Sequence, residues 1–149
     1  MWQYFNFPFL LSRPDVVSRE LEPHKEGGDT WRVLEVTYPG QQTLATHTEK
    51  QTYFFNEGFM LQRHDYAPDV LGGNPATHFV WDPVEVGGLK FPTLRRVVAK
   101  GEAGPMMFGP IPTLIHLVIL RIQLGVEGEA KGEVNKGGEV FWERSEPRL

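Results

Sequence analysis

Cysteine is missing from this 149-residue chain, so it can carry no disulfide framework, zinc ribbon or thiolate nucleophile. Serine is scarce as well. Ser12, Ser18 and Ser145 are the only ones, and none sits in the sharp strand-to-helix elbow of a serine nucleophile. Positive charge is in deficit, with 15 Lys and Arg against 19 Asp and Glu. The net charge of −4 offers no cationic surface to replace the counterions of nucleic acid. Long apolar runs are lacking too. The most apolar stretch, Leu114 to Ile122, falls well short of the ~18 residues of a spanning helix and contains His116 and Arg121. The opening MWQYFNFPFLL has no basic start and is interrupted by Asn6 and Pro8, which makes a poor secretory signal. These absences lead to the expectation of a soluble, cytoplasmic protein with no membrane span and no nucleic-acid partner. Gly72-Gly73 and Gly87-Gly88 lack the lysine and following helix of a phosphate loop, so they read as turns.

What is present suffices for a core. With 40% hydrophobic, 12% aromatic and 23% charged residues, the chain is expected to fold as a single domain over residues 1–149, with 125–149 a charged, loosely attached tail. Pro14 to Leu21 has the Pro and Asp of a short helix start. The rest reads as strands: Trp31 to Tyr38, Thr46 to Phe55, Phe59 to Tyr66, His78 to Val86 and Leu89 to Ala99. Thr113 to Leu124 reads as strand rather than helix from its β-branched residues. Asn56-Glu57-Gly58 and Gly87-Gly88 mark hairpin turns. The expected fold is all-β, a strongly curved antiparallel sheet or open half-barrel with a short N-terminal helix.

Turns set registers, so the pairs can be written down. The first hairpin is expected to set Phe55 against Phe59, Tyr53 against Leu61, Gln51 against Arg63 and Glu49 against Asp65, with His47 beyond. That leaves His64 and Tyr66 on the opposite, solvent-tolerant face. The second hairpin is expected to set Val86 against Leu89, Val84 against Phe91, Asp82 against Thr93, Val80 against Arg95 and His78 against Val97. Its Val86 face is taken as interior, although Phe79, Trp81 and Leu94 lie on the other side. If both inner faces line one curved sheet, His47, Glu49, Arg63, Asp65, His78, Asp82 and Arg95 converge beside Gln51, Tyr53, Leu61 and Phe91. An apolar pocket with a few convergent polar groups is the usual small-molecule site.

Each of these residues also has an ordinary structural reading. Arg63 with Asp65 or Glu49, and Arg95 with Asp82, could be ion pairs closing the open end of a barrel, and His47 and His78 could be satisfied core histidines. His47, His78 and Asp82 have the chemistry of a metal site but match no tight ligand spacing, so no metal and no cofactor is expected.

The middle of the chain resembles an uncharacterised family of small all-β proteins. The likeness rests on Thr46-His47 with Gln51, Arg63-His64-Asp65-Tyr66, Gly72-Gly73, Pro75-Ala76, His78 and Asp82. It continues through Gly88-Leu89, Phe91-Pro92-Thr93 and Arg95-Arg96-Val97. It spans roughly Phe7 to Val98 and brings no activity with it. More remotely, the hairpins ending in Gly-Leu-x-Phe-Pro-Thr look like the half-barrel of bacterial lipoprotein carriers, a fold also used by a cofactor-free rearrangement enzyme of indole pigment biosynthesis. A fold shared by carriers and enzymes does not choose between them.

The functional expectation is a small, largely hydrophobic organic ligand held in the concave face and isomerised, cyclised or dehydrated without a cofactor. In that reading Arg63 and Arg95 anchor or polarise an oxygen, and Asp65, Asp82 or His78 moves the proton. His47, Glu49, Gln51, Tyr53, Leu61 and Phe91 line the pocket. The alternatives are a non-catalytic carrier or sensor of an apolar ligand, and an interaction module or homodimer built on the Phe79 and Trp81 face.

Overall fold

The computed structural model describes residues 2–40, 42–107, 113–126 and 129–135. It begins with helix α1 (Trp2–Asn6) and a 3₁₀ turn at Phe9–Ser12. The strands that follow are β1 (Val17–Glu26), β2 (Asp29–Thr37), β3 (Lys50–Phe55), β4 (Leu61–Tyr66), β5 (Ala76–Val86) and β6 (Leu89–Gly101). After them come β7 (Gly104–Pro105), β8 (Ile115–Val118), β9 (Arg121–Val126) and β10 (Glu129–Asn135). Strands β1 to β6 pair in sequence order, β7 and β8 both pair with β6, and every pairing is antiparallel. The sheet curls into a half-barrel, as expected from the strand spacing. Strands β9 and β10 form a separate hairpin that packs against β5. Among the described residues no helix is long and apolar enough to cross a membrane.

The helix lies earlier than Pro14 to Leu21. Asp15 is held by the Arg13 guanidinium at 2.9 and 2.7 Å, and Val17 to Leu21 pairs with β2. A two-residue turn at Gly27-Gly28, both at positive φ, closes that hairpin, and strand pairing outweighs the short-range helix start. Of the 125–149 segment, Gly125 and Val126 close β9 and Glu129–Asn135 is β10, while 136–149, with Phe141 and Trp142, lie outside the described residues.

The second hairpin has the expected register throughout: Val86 faces Leu89, Val80 faces Arg95 and His78 faces Val97. The first hairpin departs from expectation in two steps. The αL residue is Phe59 rather than Gly58, and the Asn56 N–H donates to the Met60 carbonyl while the Asn56 side chain accepts from the Met60 N–H. This moves Phe55 opposite Leu61. A β-bulge then leaves Gln62 without a partner on β3, so Phe54 faces Arg63 and Tyr53 faces His64. One extra residue inverts every side chain beyond it. His64 and Tyr66 join the face of Gln51 and Tyr53, and Arg63 and Asp65 pass to the face of Phe54.

The N-terminal segment lies across the first of these faces. Phe7 and Leu10 pack with Val36, Tyr38, Leu44 and Tyr53, and Tyr4 packs with Tyr66, Ala76 and Val97. We call this the plugged face. The opposite face is also buried, around Trp31, Val33 and Phe54.

Candidate functional site

Ten polar or titratable side chains meet between the curled sheet and the N-terminal segment. All four tyrosines of the chain are among them, with His47, His64 and His78, Gln3 and Gln51, and Arg95. Four ring pairs run in series with little tilt: Phe7 on Tyr53 at 4.0 Å, Tyr53 on His64 at 4.3 Å, His64 on Tyr66 at 4.4 Å and Tyr66 on His47 at 4.9 Å. Tyr4 stands edge-on to His78 at 4.4 Å and tilts against His47 at 4.7 Å. Such pairs add about 0.5–1.5 kcal/mol each beyond their buried area and hold the rings in fixed orientations.

Gln51 ties the polar edges together. Its Oε1 accepts from Gln3 Nε2 (2.6 Å), Tyr53 hydroxyl (2.8 Å) and His64 Nε2 (2.6 Å), while its Nε2 donates to the Thr48 carbonyl at 2.7 Å. Gln3 Oε1 accepts the His47 backbone N–H at 2.8 Å, and the Tyr38 and Tyr53 hydroxyls are 2.9 Å apart. The Tyr4 and Tyr66 hydroxyls also bond to each other. These bonds satisfy one half of the cluster.

The other half has buried polar atoms without partners among the described residues: both ring nitrogens of His78, Nε2 of His47 and Nε of Arg95. Arg95 is 4% exposed and His78 2%. They lie on one face of adjacent strands, two positions apart along the β5–β6 ladder, because Arg95 faces Val80 and His78 faces Val97. Burial lowers His78 to about 3, with Arg95 and His47 adding to the shift. Burial likewise takes His47 to about 4 and holds His64 well below its ordinary value. All three imidazoles are therefore neutral at pH 7. Burial lowers Arg95 to about 10, partly offset by Tyr4, which leaves it cationic. The Tyr4, Tyr38, Tyr53 and Tyr66 hydroxyls are pushed up by burial and stay protonated.

Of the residues singled out from sequence, His47, Gln51, Tyr53, His78 and Arg95 come together here. Leu61 packs against the Tyr53 cluster, and half-buried Phe91 meets Phe9 at 5.9 Å. Arg63 and Asp65 do not belong: the bulge carries them to the opposite face. There Arg63 binds Asp65 at 2.8 and 2.7 Å and Glu26 at 2.6 Å, and its guanidinium lies over Phe54. Lys100 and Thr77 complete the shell of Asp65. Burial raises the Asp65 carboxyl, but its bonds to Arg63 and Lys100 outweigh this and hold it below its ordinary value. Asp82 is exposed and takes a φ of 58°, with its carbonyl accepting from the Thr93 hydroxyl. Glu49 is exposed on an open polar recess of about 740 Å³ with Thr43, Thr48 and Asp69.

Sequence reasoning missed His64 and Tyr66, which the bulge turns inward. Gln3, Tyr4 and Tyr38 were missed too, because their contacts cross between segments far apart in the chain. No group of three or more His, Asp or Glu among the described residues is arranged to hold a metal, and His47, His78 and Asp82 form no ligand set. On the other side of β5, Phe79 is buried against the Arg63 face while Trp81, stacked on it at 5.7 Å, is 39% exposed. Comparison of the chain with protein-family models, with curated proteins and with solved structures finds no match.

Proposed function

We propose that the chain binds a small, largely apolar organic molecule against the plugged face and shifts a proton within it without a cofactor. The reaction would be an isomerisation, cyclisation or dehydration in the cytoplasm. The observation that carries this reading is His78, a buried neutral imidazole with no hydrogen-bond partner on either ring nitrogen among the described residues, beside a guanidinium whose Nε has none among them either. Native interiors rarely leave such groups unpaired, because each costs about 1–3 kcal/mol. Groups left unpaired next to one another are the ones a ligand can complete.

The chemistry follows from the charges. A carbon acid next to a carbonyl gives its proton to a neutral His78 nitrogen. The electron pair moves onto the carbonyl oxygen, and Arg95 with the Tyr4 hydroxyl stabilises the charge that builds there. That charge offsets the guanidinium, which otherwise holds the imidazole proton affinity down, so His78 becomes a better base as the proton moves. Return of the proton to a different atom completes an isomerisation with no net oxidation. The rings of Phe7, Tyr53 and Tyr66 keep water out and favour a flat, apolar substrate body.

The test starts from protein purified gently from its own host, with any retained small molecule identified by native mass spectrometry. That molecule, returned to the protein in D₂O, is expected to take up deuterium at carbon. His78→Gln should slow the exchange by at least ~10²-fold. A retained molecule that comes back unchanged and free of deuterium would make the chain a carrier instead.

A further inference from the structure

We propose that the ligand of the plugged face is a small monocarboxylic acid with an aromatic or apolar body, its carboxylate seated on the Nε side of Arg95 with His78 donating to it. This rests on the reading of the cluster as a ligand site and goes on to name the ligand class. Arg95 is the only charged side chain among the ten of the cluster. No carboxylate among the described residues pairs with it. Its neighbours are Phe5, whose ring lies 5.9 Å from the guanidinium carbon, and the titratable groups Tyr4, His64 and His78, none of them acidic. A buried guanidinium surrounded by neutral groups calls for an anion. The edge of an arginine that presents Nε–H offers parallel donors, the pattern that a planar carboxylate matches.

The charges of the described side chains favour a monoanion. The other buried cation, Arg63, sits on the opposite face and is held by Asp65 and Glu26, and Lys100 is held by Asp65. Among the described side chains of the plugged face, Arg95 is therefore the one fixed cation, and its single charge matches a monoanion. The body of the acid would meet the ring beside the guanidinium, Phe5, which is 41% exposed.

The measurement is isothermal titration of the full chain with benzoate and hexanoate, with their amides benzamide and hexanamide, and with inorganic phosphate. At least one acid should bind at least about tenfold more tightly than its amide, with phosphate failing to displace it. Arg95→Gln should abolish the preference of acid over amide. Because the acid-to-amide comparison is made on the unaltered protein, it stands even if that variant does not fold. Equal binding of acid and amide, displacement by phosphate, or no binding of either acid would overturn the proposal. Acid binding without deuterium exchange in the His78 test would sustain this inference and remove the catalytic reading. Exchange on a molecule that carries no carboxylate would do the reverse.

Discussion

At the scale of single residues, the histidines of the plugged face couple stability to pH. The folded chain binds protons at His78 only near pH 3 and at His47 only near pH 4, against 6.5 for an unperturbed imidazole. Below about pH 6.5 the unfolded chain therefore takes up protons that the folded chain refuses, and stability falls with acidification. The contribution is complete above 6.5 and is lost between there and pH 3 to 4. Each histidine adds a slope of up to about 1.4 kcal/mol per pH unit. Asp65 acts in the same direction but later, below its ordinary 3.8, because its folded-state value is depressed. Urea unfolding at pH 7.5, 6 and 5 should show a midpoint that drops at the two lower values, and His78→Leu should flatten the dependence by one histidine. A midpoint constant from 7.5 to 5 would mean that these imidazoles are hydrated in solution.

At the scale of elements, β4 decides which residues meet. Its sequence Leu61-Gln62-Arg63-His64-Asp65-Tyr66 alternates cleanly, and either parity gives one face with charge and one with aromatic rings. The sequence alone cannot choose between them. The choice comes from the bulge at Gln62, whose Nε2 donates to the Met60 and Leu61 carbonyls at 3.2 and 3.1 Å. The Gly87-Gly88 hairpin was legible because both turn residues adopt the positive φ of a two-residue turn and no bulge shifts the pairs beyond it. The Asn56 turn was not, because a non-glycine, Phe59, takes the αL position. Residue count is thus the variable to test. Gln62→Ala keeps the count and should cost less than about 1.5 kcal/mol. Deleting Gln62 should turn His64 and Tyr66 away from Tyr53 and abolish the cooperative unfolding transition seen by circular dichroism. If the deletion unfolds as cooperatively as the parent chain, the bulge does not set the face.

At the scale of the whole molecule, the N-terminal segment joins the curled sheet into one structure. Gln3 and Gln51 bond across 48 positions of sequence, and Phe7 stacks on Tyr53 with an interplanar angle of 1°. Phe7→Ala should cost about 3–5 kcal/mol in urea unfolding. That is a large share of the about 5–15 kcal/mol that holds a domain of this size together. A loss below 1 kcal/mol would show that the segment is not docked in solution. By itself the sequence determined what is local: strand-forming alternation, glycine turns, the register of β5 with β6, and the all-β class. Gln51, Tyr53, His78 and Arg95 could be named in advance because their parity follows from strand periodicity, while His47 was named on a strand reading that the chain before Lys50 does not adopt. Which charged residues share a face was decided only in three dimensions. A one-residue bulge inverts a strand, and the segment that fills the face arrives from the far end of the chain, so neither effect leaves a periodic trace in the residues it rearranges.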